Sequence, residues 1–474
     1  MKRNILLLLF AIYAVGCDSF IERQKPQTSL PADEAITSEA AVQAAVYGAY
    51  SAIQSGNYYG LRYLLFPDLI YSGSGQRANL RHTGTFPSWA QFNNANILAD
   101  NVEVSNMWAT IYNSISRINY IIEAVNNLNV AGFTEDERKA FLAEAHFLRA
   151  FHYFNLVRWW GGVPIVTQPV KEPSNLQIPR NTVAEVYQQI ENDLAIALAD
   201  LPTSYGNTID NKGRATLAAA YALKAYVHLE KGEWADAAAA AQQALVNGGT
   251  LVSPFKSLFE SQNTSEAIWE LQFNPTDQNS IAFFLLPGSA GGRNEANIAA
   301  SLNTLFDNSG ETGTGANAQL HRRVVREVSP RLKYYRVATG NDNVIIYRNA
   351  EMWLVRAEAL VEQASDGATT TTDPNLSTAL AILNTLRARA AASSISGPYT
   401  KAQMRALVFN ERRRELALEG ELFFDVVRRD RREPGFFATF YGLPAGPDTE
   451  NKKLLPIPQR EILANPNLEQ NPGY

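Results

Sequence analysis

Few residues in this chain have the type and spacing that bond-making chemistry demands. It has five histidines: His82, His146, His152, His228 and His321. His146 and His152 stand six apart on one predicted helix. They point to different faces and cannot share a metal as an i, i+4 pair would. Both read as core or boundary side chains. Ser74 sits between Gly73 and Gly75, the setting of a flexible turn more than of a nucleophile. No G-x-S-x-G elbow, phosphate loop or H-E-x-x-H motif is present. Asp and Glu total 47, which permits a glycosidase-type carboxylate pair but singles none out. The expectation is no catalytic residue, no metal ligand and no cofactor.

Two other chemistries have a motif or a context. Cys17 is the chain's single cysteine, so no disulfide can form within it. It follows Lys2, Arg3 and the uncharged apolar run Ile5 to Val15, which is short for a membrane span and has the shape of a secretory signal. Gly16-Cys17 then reads as a lipobox, although Ala14 stands where Leu is more usual. Cleavage there would leave acylated Cys17 as the mature N-terminus, anchored with no transmembrane helix. Residues 1–16 are thus a lipoprotein signal peptide, and their loss takes the net charge from −5 to −7.

The second context is Trp89, flanked by Phe86-Pro87 and Phe92, with Asn93, Asn94, Arg77 and Arg81 near in sequence. Sugars offer apolar C–H faces to a flat ring, while amides and guanidinium groups bond their hydroxyls. Trp89, Phe92, Asn93, Asn94, Arg77 and Arg81 are therefore the candidate ligand-binding residues. Trp is also a residue that cores bury. Both readings stand on sequence alone.

The elements that must position these groups are helical. The 474 residues are 46% hydrophobic and 19% charged, ordinary for a globular chain with a sizeable core. The mild acidic excess argues against nucleic acid as a partner. Residues 17–37, with Pro26 and Pro31, read as a tether. Thr37 or Ser38 can cap a helix over Ala40–Ile53. Residues 57–100 show no sustained period and read as a functional loop region with short elements. Helix is expected over Val102–Asn127, and again from a Thr134/Glu137 capping box to about Trp160. Gly161-Gly162-Val163-Pro164 ends it.

Arg214–Asn247 spans about 34 residues, the length of a tetratricopeptide helix pair, with Ala218, Ala222, Ala225 and Leu229 facing Trp234, Ala238, Ala241 and Leu245. A second pair sets Ile346, Ala350, Trp353, Ala357 and Leu360 against Ala379, Ile382, Leu383, Leu386 and Ala390. Spacing alone also allows an unrelated hairpin. Residues 250–345 mix short β-like runs, Ala267–Phe273 and Val344–Tyr347, with glycine-rich loops at Pro287–Asn294 and Ser309–Asn317. The expected fold is mostly α: a tetratricopeptide-like helical-repeat scaffold with long loop-rich insertions and short β elements.

Four segments resemble the SusD/RagB family, and together they span essentially the whole mature chain. The first is Cys17-Asp18-Ser19-Phe20-Ile21-Glu22. The second joins Trp108, Tyr112, Ile115 and Arg117-Ile118-Asn119 to Ala143-Glu144-Ala145, Leu148-Arg149-Ala150 and Leu156-Val157-Arg158. The third is Asn410-Glu411-Arg412-Arg413-Arg414-Glu415-Leu416-Ala417-Leu418-Glu419-Gly420 with Phe424-Asp425-Val426-Val427-Arg428. The fourth is Leu455-Pro456-Ile457-Pro458 through Asn465-Pro466-Asn467-Leu468 and Gln470-Asn471-Pro472-Gly473-Tyr474. Glu421 departs from the basic residue common after the Glu-Gly pair. In bottom-up terms the third segment is an ion-paired helix face with Leu416 and Leu418 beneath it. The fourth resists helix after Glu461–Leu463 and should pack as an extended tail.

The resemblance implies an N-terminal helical region over 38–249 and a C-terminal region over 250–474. It implies a lipid-anchored protein on the outer membrane, facing the exterior. There it would capture a nutrient, in particular an oligosaccharide or glycan, as a lid on a SusC-like TonB-dependent outer-membrane transporter. Ligand contacts would come from loops after the first helix, with no bond breaking. A protein-binding scaffold, a peptide-binding lid and a glycoside hydrolase are the alternatives.

Overall fold

Helix starts are set by side chains that satisfy free N–H groups. The chain is described by a computed structural model over residues 36–75, 77–171, 177–311, 322 and 333–474. The expected signal peptide 1–16, Cys17, nearly all of the expected tether 17–37 and His321 lie outside those residues. Ser38 accepts the Ala41 N–H and opens α1 (Glu39–Ile53). Next come α2 (Arg62–Leu69), β1 (Leu80–His82) and α3 (Pro87–Asn93), the last with Pro at its first turn. Asn101 caps α4 (Val102–Asn127), and Thr134 with Glu137 forms the expected box for α5 (Glu135–Trp160).

α5 is the central helix, buried almost throughout from Phe141 to Trp160. It stops at Gly161, whose φ of +72° suits glycine. A Thr182/Glu185 box starts α6 (Val183–Asp200), which packs on α5. α7 (Leu217–Lys231) and α8 (Trp234–Asn247) form the expected antiparallel pair about left-handed Gly232. Ala218, Ala222, Ala225, Ala237, Ala241 and Ala244 are buried, and such small side chains let the two helices approach closely.

β2 (Ala267–Leu271), α9 (Ile281–Leu285), β3 (Ala296–Ile298), α10 (Ala300–Asp307) and β4 (Val344–Arg348) make the mixed region. Two antiparallel ribbons result, β1 with β3 and β2 with β4. The frame resumes with α11 (Asn349–Gln363) against α8 and α12 (Pro374–Arg389), and α13 (Lys401–Glu415) packs on α11. α14 (Leu422–Asp430) and α15 (Gln459–Ala464) complete it, so the chain is mostly α with helix pairs in series.

Three expectations are corrected. Ile346 belongs to β4, not to the helix that follows it. Residues 57–100 hold the expected short elements, but these are largely packed into the core and do not form a loop region. Tyr58, Tyr59 and Tyr63 are buried against α5, Phe66 against Trp89 and Phe92, and Tyr71 against Phe423, Phe437 and Tyr441. Tyr58 Oη meets His152 Nδ1 at 3.1 Å, and Tyr63 Oη donates to Asn155 Oδ1 at 2.8 Å. The arginine-rich stretch of α13 is ion-paired as expected, but it lies buried. Glu411, Arg412 and Glu415 are at most 1% exposed. Glu415 meets Arg348 at 2.6 Å and Arg322 at 3.0 Å, and it also pairs with Arg389. Arg348 further reaches Glu266 at 2.9 Å and Glu419 at 2.7 Å. Charges from five separate stretches thus neutralise one another inside the protein, which is the condition for burying them.

The C-terminal segment packs as an extended tail. The Leu455 N–H donates to the Trp159 carbonyl at 2.7 Å, and Trp160 Nε1 donates to the Pro456 carbonyl at 3.0 Å.

Candidate functional site

The candidate residues gather around α3 and the β1–β3 ribbon. α3 is seven residues long and turns its apolar side inward. Trp89 and Phe92 are both 0% exposed. Trp89 stands edge-on to Phe66 at 5.1 Å and lies 5.6 Å from Phe284, while Phe92 lies 4.3 Å from Phe66. This corrects the expectation of a stacking platform. Neither ring offers a face to a ligand, because Trp89 fills the gap between α2 and α9 and Phe92 packs on α2.

Asn93 is half-buried and spent on structure. Its Oδ1 accepts from Ser72 Oγ at 2.6 Å and from the His82 N–H at 3.1 Å, and its Nδ2 donates to Asn94 Oδ1 at 2.7 Å. Asn94, Arg77 and Arg81 are exposed.

The exposed aromatic of this region comes from elsewhere. Phe283 on α9 is 41% exposed, and its ring stands edge-on to the inward-facing Phe284 at 5.2 Å. Phe284 in turn contacts Trp89 and, at 6.0 Å, Phe86. The Arg293 N–H donates to the Phe283 carbonyl at 2.6 Å, which sets the two residues side by side. The Arg293 guanidinium lies 4.2 Å from the Phe86 ring centre. Sequence reasoning missed Phe283 and Arg293. The available signal was the Phe283-Phe284 doublet before the glycine-rich loop Pro287–Asn294, one ring turned in and one out.

Glu295 ties this surface together. It is 0% exposed and bonds His82 Nε2 at 3.0 Å, the Phe86 N–H at 2.6 Å and Arg293 Nε at 2.9 Å. Burial alone would raise its carboxyl. The Phe86 N–H, Arg293 and His82 outweigh burial and hold it below the ordinary range. Gly84 is required here, since a Cβ would lie 2.2 Å from the Glu295 carboxyl carbon. On the ribbon Arg81 pairs in register with Asn297, so both face outward on one side.

Other groupings offer less to a ligand. Among the described residues Glu191, His228 and Glu233 bring three possible metal-ligand atoms within 4.8 Å of one another. Lys231 already pairs with both carboxylates, at 2.7 Å to Glu233. A concavity of about 780 Å³ opens beside Tyr187, Val183 and Leu454. Its cations are engaged: Arg431 with Glu230, Lys453 with Asp430 and Lys231 with Glu191. Asp68, pushed up to about 7 by burial, and Glu351, pushed up to about 8 by burial and by Glu421, are core residues. Among the described residues no helix is long and apolar enough to cross a membrane.

Known proteins place this architecture. Residues 20–229 match a SusD-like family described as starch-binding and associating with the outer membrane, and residues 307–474 match the SusD family. The chain belongs to the SusD/RagB family. SusD-like protein P2 of Formosa agariphila is 28% identical, with the whole of both chains aligned. A SusD superfamily protein from Parabacteroides distasonis has the same fold at a TM-score of 0.75 and 23% identity, covering 92% of this chain and 100% of that one. A laminarin binding SusD-like protein superposes with a TM-score of 0.72 at 24% identity, over 92% of this chain and 100% of its own.

Proposed function

We propose that this protein captures a glycan at the cell surface and hands it to a SusC-like TonB-dependent outer-membrane transporter, by binding alone. Membership of a family described as starch-binding and associating with the outer membrane carries this reading. The laminarin-binding relative of like fold supports the ligand class. Acylated Cys17 would hold the protein on the outer membrane, facing out. The proposed ligand surface is the exposed ring of Phe283 with Arg293 beside it. A ring exposed on a fixed aromatic stack meets a sugar face without first paying conformational entropy.

Titration calorimetry of a glycan panel, with chromatography of the mixture afterwards, tests the reading. The expected result is saturable binding with the glycan recovered intact. Phe283→Ala should weaken binding by about 1–3 kcal/mol and leave the melting temperature nearly unchanged, since the ring is half in solvent. Release of shorter products would make the protein an enzyme and sink the proposal.

A further inference from the structure

The concavity of about 780 Å³ beside Tyr187 lies between the ends of α5 and α7, the first half of α6 and α14. Small-ligand sites run from roughly 300 to 1,000 Å³. Its apolar lining comes from Val157, Val183, Ala184, Tyr187, Val427 and Leu454. Gly161 lies against two of these, since a Cβ there would stand 3.0 Å from Leu454 Cδ1 and 3.8 Å from a Val183 methyl. The Tyr187 hydroxyl has no hydrogen-bond partner among the described residues.

The charges around this space cancel. Arg431 meets Glu230 at 3.1 Å, and Arg158 meets Glu421 at 3.0 Å. Lys231 meets Glu233 at 2.7 Å and also Glu191, while Lys453 pairs with Asp430 and Glu450. Every cation that lines the concavity is thus paired, and the carboxylates that line it, Glu191 and Glu230, are spent in those pairs. An entering ion would have to break one of them; a neutral molecule would not. Arg431, Glu191 and Gln188 still reach solvent, so their remaining N–H groups and oxygens can serve hydroxyls.

Apolar walls, an aromatic side chain and paired donors and acceptors suit a molecule with C–H faces and uncharged hydroxyls. We infer that this concavity is a second saccharide site, sharing no residue with the Phe283 surface, and that it takes a short neutral oligosaccharide. The saccharide class rests on the reading of the protein as a glycan binder; the neutral class rests on the paired charges.

The test is equilibrium binding to the full-length chain in detergent. The neutral probes are laminaritetraose, maltotetraose, xylotetraose and mannotetraose, and the charged probe is tetragalacturonate. At least one neutral probe should occupy two sites per chain. Ala184→Trp places a large ring in the concavity from an exposed helix position, so it should abolish one site and melt with wild type. Tyr187→Phe keeps the ring and loses the hydroxyl, and should weaken that site about fivefold, the scale of one neutral hydrogen bond. In Phe283→Ala the concavity should remain as the one saturable site, and tetragalacturonate should bind it at least about tenfold less tightly than the neutral probe.

Neutral binding that Ala184→Trp leaves unchanged, in wild type and in Phe283→Ala alike, would overturn the second site and leave the Phe283 reading standing. Loss of all binding in Phe283→Ala would do the same. Binding abolished by Ala184→Trp alone would uphold the concavity and take down the Phe283 reading. A preference of the concavity for tetragalacturonate would overturn the neutral class. Failure of every probe at millimolar concentration would reject both sites.

Discussion

Asp68 meets three donors inside the core: Asn79 Nδ2, and the N–H groups of Leu418 and Gly420 at 3.4 and 3.3 Å. Burial still prevails and pushes its carboxyl up to about 7. A folded value above the unfolded one, near 3.9, means that the folded state holds the proton between about pH 4 and 7. Stability from this group is present at the acid end of that window and is lost as pH rises through it, by up to about 1.4 kcal/mol per pH unit. Glu351, pushed up to about 8, adds the same sign. Urea denaturation at pH 5 and pH 8 should show the loss, and Asp68→Asn should flatten it. Trp89 gives a second residue-scale outcome. Trp89→Ala empties a filled site and should cost about 3–5 kcal/mol, read as a fall in urea midpoint. Composition pointed to Trp89 because its neighbours in sequence are polar. It could not reveal that Phe284, almost two hundred residues on, covers the ring.

Helices that begin with a side-chain cap were legible from their first residues. Thr134/Glu137 starts α5 as expected and α7 follows the stripe read from Ala218, whereas α8 buries Ala237, Ala240, Ala241 and Ala244, and of the expected return stripe Trp234, Ala238 and Leu245 are only partly buried. Capping and periodicity are local, so one stretch of sequence contains the whole cause. The alternating Arg and Glu of α13 announced ion pairing but not its depth, since the partners Glu266, Arg322 and Arg348 come from other elements. Burial raises the Glu415 carboxyl, and Arg389, Arg348 and Arg322 overcome it and hold the group well below the usual range. Glu415→Gln leaves three buried guanidinium groups short of a counter-charge and should cost about 3–5 kcal/mol in a thermal or urea melt. Replacing Arg348 and Glu415 together with Met and Leu should cost less than the single change, because no unpaired charge remains at that contact. Equal losses would show that shape, not charge, holds this element. The proposed ligand surface was hardly legible: Phe283 and Arg293 stand far along the chain from residues 57–100, the stretch read as functional, and reach it only through folding.

For the whole molecule, anchoring and partnership are proposals that can be separated. Cys17→Ala should move the protein from the membrane pellet to the soluble fraction in cells lacking the partner barrel, since two or more acyl chains supply roughly 0.8 kcal/mol per buried methylene. Retention in the pellet would place the anchor elsewhere. Gentle detergent extraction of the native host should recover a transporter of the SusC type with the tagged protein. Repeated recovery of the protein alone would remove the lid role.

The ties between distant parts of the chain bear on what a protease could do to it. Asp68 holds Leu418 and Gly420, Arg158 meets Glu421 at 3.0 Å, Arg413 reaches Asn79 at 3.2 Å, and the Trp159-Trp160 pair is bonded to Leu455 and Pro456. The turn at Ser365–Gly367 sits on the outside, with the Asp366 side chain 98% exposed. A cut there would sever the backbone at one point and leave all of these ties in place. The clipped protein should migrate as two bands in a denaturing gel and as one particle on a sizing column. Phe283 and Arg293, the proposed ligand surface, both lie on the N-terminal fragment and would keep their common support after the chain had been broken.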